Sequence, residues 1–485
     1  MAARSVEHFS PDKVMEAYYS CIEQMCCQSE KQLNYLHMSA IVYGTSKVWT
    51  AAAERHSGWV AEEQAGQNLR SFIARMLKRL HPLLPAVGAR LTANVLWSSA
   101  KLGLNPDALV PGMTDGLAQQ FMADMDAANG QDFATVLMAC AQLQLNPCQG
   151  ALFKAICGQL AVADLSNFSS QSVSNILHSL ATLLAAVPSV EVLDALCQRF
   201  GVLLTGHQVA NGYNELPSAQ HIANTMWALS KLKYAPADQL AMSMMGRIMA
   251  LCCMGQQPTP QDSSTVLLAC VELRLPITQT ETEDLASVVL ILKSQLDMPQ
   301  IYIDTAWSLA ALGQLRRAQF ALALDHLTAL SVSHGEVSQP SVLTNRQMRQ
   351  LHQALDWLQF PPSAHAQHRS VWSSLQGKLH RLGPRLAWTN VCTRDRSKLY
   401  AALDQLKLPC KTMVPIQSFM ADAVLEPQSS NAKAIILRLV CFGYMRNIPG
   451  KYGIKFTDCN LLLKNFCISS CVSIFVNQSH SIRFV

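Results

Sequence analysis

A short segment recurs along this chain at a near-constant interval, and it constrains the fold more than any other feature. The clearest copy is Asn224-Thr-Met-Trp-Ala-Leu-Ser-Lys-Leu232. Close relatives end at Leu102, Leu143, Leu183, Leu273 and Leu312, with weaker copies ending at Val48 and Leu358. Four of the seven intervals between these anchors fall at 39–41 residues (102 to 143, 143 to 183, 232 to 273, 273 to 312). Two longer intervals carry polar insertions, Thr205–Pro217 and Val332–Leu343. A unit of this length is one supersecondary element that cannot bury its apolar face alone, so copies must stack.

The repeated segment reads as a helix. Twelve residues before the anchor stands Gln131, Gln171, Gln220, Gln261 or Gln300. Two residues earlier comes Asn129, Ser169, Ser218 or Thr259, side chains that accept from the free N–H groups of a first helical turn. Shortly after the anchor comes Pro106, Pro147, Pro188, Pro236, Pro276 or Pro361, which cannot continue the helix. The site four before the anchor is always small: Ser98, Ala139, Ser179, Ala228, Ala269, Ser308. A constant small residue lets a neighbouring helix approach, and the segment is apolar almost all round, as a helix buried between neighbours should be. Stretches with period-3.6 patterning lie between these segments: Cys148–Ala163, Val190–Leu204, Ala237–Cys253 and Thr282–Leu296. The expected fold class is therefore all-α, an α-solenoid of helix-turn-helix repeats of about 38–41 residues. A compact bundle of non-repeating helices is the alternative.

Composition agrees. The chain has 485 residues, 50% of them hydrophobic but only 7% aromatic. That is too long for one compact core and too poor in strand formers for a β architecture. Net charge is +5, which permits a polyanionic partner without requiring one. The 16 cysteines include no CxxC pair, and Cys140, Cys157, Cys197 and Cys270 fall inside apolar helical patterns. They are expected to be reduced core thiols. His365 and His368 form an HxxH with no further ligand beside them, so no metal site is assigned. No window is long and apolar enough to span a membrane, and membrane insertion is not expected. The opening MAARSVEHFSPDK lacks the Arg/Ser-rich, acid-poor composition of a transit peptide.

Taken as a set, the Asn-Thr-x-Trp-Ala-Leu-x-Lys-Leu helix, the later proline and Pro217-Ser-Ala-Gln220 resemble the octotricopeptide repeats of algal organelle proteins. Those are related to the leucine-rich helical region of FAST kinase-like proteins. The resemblance covers roughly residues 85–360. It implies single-stranded RNA as partner, in a chloroplast or mitochondrion, with a role in transcript processing, stability or translation. Other proteins of a ribonucleoprotein complex are the further partners it implies. Phe419–Phe456 resembles the RAP domain that often follows such repeats, and a small partial α/β segment is expected there. Its relatives resemble restriction-type nucleases, whose metal site needs paired acids. Asp422 matches the first, but no Asp or Glu occurs between Glu426 and Asp458. One carboxylate is too little for a hydrolytic divalent ion.

The domain reading follows. Residues 1–84 form an N-terminal helical region with a weak first repeat, and 85–361 the solenoid. Residues 362–411 form a basic helical linker, 412–458 a degenerate RAP-like segment, and 459–485 an unstructured tail. No phosphate loop, dinucleotide fingerprint, HExxH or kinase motif set occurs, so no enzyme activity, catalytic residue or cofactor is assigned.

Base readers should differ from repeat to repeat. The position just before the anchor does: Lys101, Gln142, Thr182, Lys231, Glu272, Ala311. These polar residues are candidate RNA contacts, or else solvated helix ends. Trp97, Trp227 and Trp307 could stack bases, but they recur at a site that also carries Met138, His178 and Leu268, so packing between helices is expected of them first. Asn94, Asn175 and Asn224 could read bases too, but their recurrence points first to a structural hydrogen bond. Basic residues gather at Arg70, Arg75, Lys78 and Arg79 and again at Arg369, Lys378, Arg381, Arg385, Arg394, Arg396 and Lys398. Arg381, Arg385, Arg394 and Arg396 are candidate phosphate contacts. A protein-interaction scaffold of the armadillo or HEAT kind is the competing function.

Overall fold

The structure is a computed structural model that describes residues 11–28, 34–55, 63–183, 188–206, 216–291, 298–333, 343–357, 375, 377–378, 410–416, 419–425, 435–439 and 472–476. The chain divides into two compact units, Met1–Pro258 and Thr259–Val485.

The first unit is helical throughout its described residues. It runs α1 (Pro11–Gln28), α2 (Tyr35–Arg55), α3 (Glu63–Leu80), α4 (Ala89–Lys101), a single-turn α5 (Pro106–Leu109) and α6 (Met113–Ala123). It continues with α7 (Gly130–Leu143), α8 (Ala151–Val162), α9 (Ser170–Leu183), α10 (Val190–Leu204), α11 (Ala219–Leu232) and α12 (Asp238–Cys253). The anchor-bearing helices form one layer in the order α2, α4, α7, α9, α11, each packed on the next. The intervening helices α6, α8, α10 and α12 form a second layer, also packed in sequence. This is the expected α-solenoid of helix pairs, and the weak copy ending at Val48 belongs to it through α2.

The second unit repeats the arrangement with α13 (Pro260–Leu273), α14 (Gln279–Ile291), α15 (Pro299–Ala311), α16 (Arg317–Ser333) and α17 (Asn345–Trp357). Here α13, α15 and α17 pack in sequence, and α14 and α16 lie against them and each other. Its described residues also include four strands, β1 (Cys410–Ile416), β2 (Phe419–Leu425), β3 (Ile435–Leu439) and β4 (Val472–Val476). They form an antiparallel sheet in the order β1-β2-β3-β4. Pro415 is tolerated because β1 is an edge strand. The expectation of an unstructured tail at 459–485 is corrected at Val472–Val476, which pairs residue for residue with Ile435–Leu439. That run, Val-Ser-Ile-Phe-Val, is rich in β-branched and aromatic residues and fits a pleated surface. The basic linker lies outside the described residues except for Lys378, which pairs with Asp325 at 2.6 Å, and its neighbours at 375 and 377.

Local chemistry starts and stops each anchor helix. Asn129, Ser218 and Thr259 close capping boxes with Asp132, His221 and Asp262. The Ser169 hydroxyl accepts from the Ser172 N–H at 3.1 Å. The residue after the anchor is left-handed in five copies: Gly103, Gln144, Lys233, Arg274 and Gly313. The next N–H then reaches back into the last turn, as in Leu145 to Cys140 and Leu275 to Cys270, both 2.9 Å. The small site is buried in every copy, and Ala228 is 0% exposed. The thiols of Cys140, Cys197 and Cys270 are buried, and burial pushes each up to about 12, so they stay protonated.

A buried cation links the layers, and its role is not visible in the sequence pattern. Arg199 of α10 donates through Nε to the Phe168 carbonyl (2.9 Å), just before α9. Arg247 of α12 does the same to the Pro217 carbonyl (3.3 Å), just before α11. In each case the second helix satisfies backbone at the start of the first.

Two stability tests follow from this packing. Ala228→Leu should overpack the helix contact and destabilise the chain by about 1–3 kcal/mol; a melting point equal to wild type would contradict it. Gln144→Gly should relieve roughly 1–2 kcal/mol of left-handed strain, less roughly 0.4–1 kcal/mol of added freedom in the unfolded chain. The expected result is a small rise in the urea midpoint, and a fall would contradict the reading of that turn.

Candidate functional site

Within the first unit α4, α7 and α9 are each covered on three sides, by an anchor helix on either flank and by the second layer behind. What stays open is one line along the helix, at positions twelve, eight, five and one before the anchor. Residues spaced i, i+4, i+7 and i+11 share one helical face. The burial pattern repeats helix by helix. Asn94 and Trp97, Thr135 and Met138, Asn175 and His178, Asn224 and Trp227 are half-buried, while the residues between them are buried.

In the first unit these lines lie side by side. They read Leu36, Ala40, Tyr43, Lys47 on α2 and Arg90, Asn94, Trp97, Lys101 on α4. Next come Gln131, Thr135, Met138, Gln142 on α7 and Gln171, Asn175, His178, Thr182 on α9. Gln220, Asn224, Trp227 and Lys231 follow on α11. No acidic residue occupies any of these positions. Rings five before the anchor meet their counterparts on the next helix. Tyr43 lies 5.4 Å from Trp97 between centroids, and His178 stacks on Trp227 at 4.6 Å and 27°. Lys47 Nζ sits 5.4 Å from the Tyr43 ring and 4.9 Å from Trp97, and Lys101 Nζ sits 5.8 Å from Trp97.

This changes the reading of the tryptophans. Trp97 and Trp227 pack against neighbours, but on the open face rather than between the layers. The position carries Met138 and His178 as well as tryptophan because it is half-buried rather than enclosed in the core. The expected structural hydrogen bond of Asn94, Asn175 and Asn224 is also corrected, because none of these amides bonds to protein among the described residues. The backbone carbonyls of Asn94 and Asn175 instead accept from Ser98 (2.6 Å) and Ser179 (2.7 Å).

The site candidates divide. Lys101 is exposed over Trp97, and Lys231 lies on the same face beside Trp227. The Gln142 amide donates to the Ala100 carbonyl at 2.8 Å, which ties α7 to the end of α4. Thr182 Oγ1 donates to the His178 carbonyl one turn back at 2.8 Å. Both have a structural duty on the open face. Glu272 is half-buried on α13. Arg381, Arg385, Arg394 and Arg396 lie outside the described residues, as do His365 and His368. Arg70, Arg75, Lys78 and Arg79 are exposed on α3, with Arg75 paired to Glu23.

The corresponding line of the second unit is chemically different. Asp304 of α15 accepts from Gln300 (2.6 Å) and from Gln350 of α17 (3.2 Å), and Gln347 donates to Gln300 at 3.0 Å. Amide and carboxylate satisfy one another there. In the first unit the open amides, rings and ammonium groups can stack planar groups and pair with anions.

Among the described residues, no group of three His, Cys, Asp or Glu could hold a metal ion, and no helix is long and apolar enough to cross a membrane. No protein-family model matches the sequence. No curated protein matches it either.

Burial holds the His178 imidazole below its ordinary value, which favours the neutral ring stacked on Trp227. A depressed folded value means the unfolded chain takes the proton first. The stability contributed is full above the unfolded value of about 6.5 and is lost as pH falls below it. Melting curves from pH 7.5 to 5.5 should fall more steeply for wild type than for His178→Gln. Superimposable profiles would contradict this.

Proposed function

We propose that this chain is an RNA-binding helical repeat protein, acting in organellar RNA processing, stability or translation in a chloroplast or mitochondrion. The observation that carries the reading is the open face of the first unit, with rings on α2, α4, α9 and α11, amides on α4, α7, α9 and α11, cations on α2, α4 and α11, and not one acid. Single-stranded RNA offers what such a face can hold: bases to stack on rings, edges to hydrogen-bond with amides, and phosphates for cations. The octotricopeptide-like repeat pattern supports the same partner, and the organellar role rests on that resemblance. The polar residue just before the anchor differs in chemistry between repeats, as selective contacts need.

The test is binding of labelled single-stranded RNAs of different sequence to the full chain at several salt concentrations. Affinity should fall as salt rises, since bound cations release counterions. Trp227→Ala should weaken binding roughly 5- to 150-fold, equivalent to about 1–3 kcal/mol of base stacking. Asn224→Ala should change the preference among sequences more than the mean affinity. Folded protein that binds no RNA would reject the proposal in favour of a protein-interaction scaffold.

A further inference from the structure

On two adjacent anchor helices an aromatic ring is followed four residues later by a lysine: Tyr43 and Lys47 on α2, Trp97 and Lys101 on α4. One helical turn puts each lysine beside its own ring, and the stacking of α2 on α4 brings all four groups together. Both ammonium groups lie within 6 Å of the Trp97 centroid, at 4.9 and 5.8 Å. Neither forms an ion pair among the described residues. Two like charges gathered at one ring with no carboxylate between them create a local positive potential that an anion would relieve. Tyr43 is 37% exposed, so the ring edge is reachable from solvent. The equivalent line of the second unit has the opposite character, with Glu272 on α13 and Asp304 on α15.

We infer that Tyr43, Lys47, Trp97 and Lys101 form the principal anchoring point for the RNA strand. One base stacks against the Trp97 ring, and Lys47 and Lys101 hold the phosphates that flank it. This rests on the RNA-binding reading above and adds where the strand is gripped. A ligand that answers both features must be planar and anionic together, which a nucleotide within a strand is. The lysines rest on ring faces, from which an ammonium can swing to a phosphate without breaking an ion pair. The grip is blind to sequence, because every base has a stacking face and every linkage a phosphate. Selectivity then belongs to the repeats that follow.

The experiment measures salt-dependent binding of labelled single-stranded RNAs to the full chain. Lys47→Gln with Lys101→Gln should lower the log–log salt slope by roughly 1.4, at roughly 0.7 for each lost phosphate contact. Both residues are exposed, so folding should be unaffected, which circular dichroism checks. Trp97→Ala should weaken every RNA by a similar factor, roughly 5- to 150-fold. The comparison variant removes Arg70, Lys78 and Arg79 of α3 as Gln, and it should change the slope less. If wild type binds RNA and the double lysine variant keeps its slope, the anchor is overturned while RNA binding stands. The anchor is also overturned if the α3 variant flattens the slope equally. If wild type binds no RNA, the functional reading itself fails.

Discussion

Burial of the anchor helix on three sides is the interaction on which the rest depends. The helix is apolar nearly all round, so it is stable only with a neighbour on each flank and a second helix behind. The small residue four before the anchor sets how closely those helices approach, and burial of Ser98, Ala139, Ser179 and Ala228 shows that contact made throughout the first unit. Two consequences follow together. The repeats must stack, and each helix is left with a single open line. The layer that builds the core is therefore also the layer that presents the open face.

Much of the fold was legible because it is local chemistry repeated. The caps at Asn129, Ser218 and Thr259, the small site and the anchor all recur in register, and a recurring signal survives noise in any single copy. The open face was only half legible. Lys101 and Lys231 stood out as polar residues on an apolar helix. Trp97 and Trp227 did not, because a site that also carries Met138 reads as packing, nor did the asparagines, whose recurrence reads as structural. The line is in fact partly packed: a ring that stacks on the next repeat is under structural constraint while still facing solvent. Gln142 and Thr182 show the reverse case, with polar side chains on the open face whose hydrogen bonds go to protein. Arg199 and Arg247 escaped notice since a charged residue within a period-3.6 pattern looks like a solvated one. Only the carbonyls at Phe168 and Pro217 reveal their role. Strand β4 was missed because its partner, β3, is distant in sequence.

The same repeat chemistry serves two kinds of face. In the first unit the lines carry Lys47, Arg90, Lys101 and Lys231 with rings between them. In the second, Asp304 is satisfied by glutamines of its own and the next helix. Substitutions of exposed side chains on the open line, such as Lys47 and Lys101, should cost little in folding, since they are open to solvent. Charge and hydrogen-bonding character can thus vary while the buried positions stay fixed. On the proposed function, that separation lets one scaffold hold a polyanion along part of its length.

The central claim is that RNA lies along the open face of the anchor helices in the first unit. Ultraviolet crosslinking of the full chain to a bound single-stranded RNA, with the attached peptides identified by mass spectrometry, tests it directly. The account predicts adducts on peptides from α2, α4, α9 and α11, centred on Tyr43, Trp97, His178 and Trp227. Adducts confined to the second-layer helices α6, α8, α10 and α12, or absent from folded protein at saturating RNA, would contradict it.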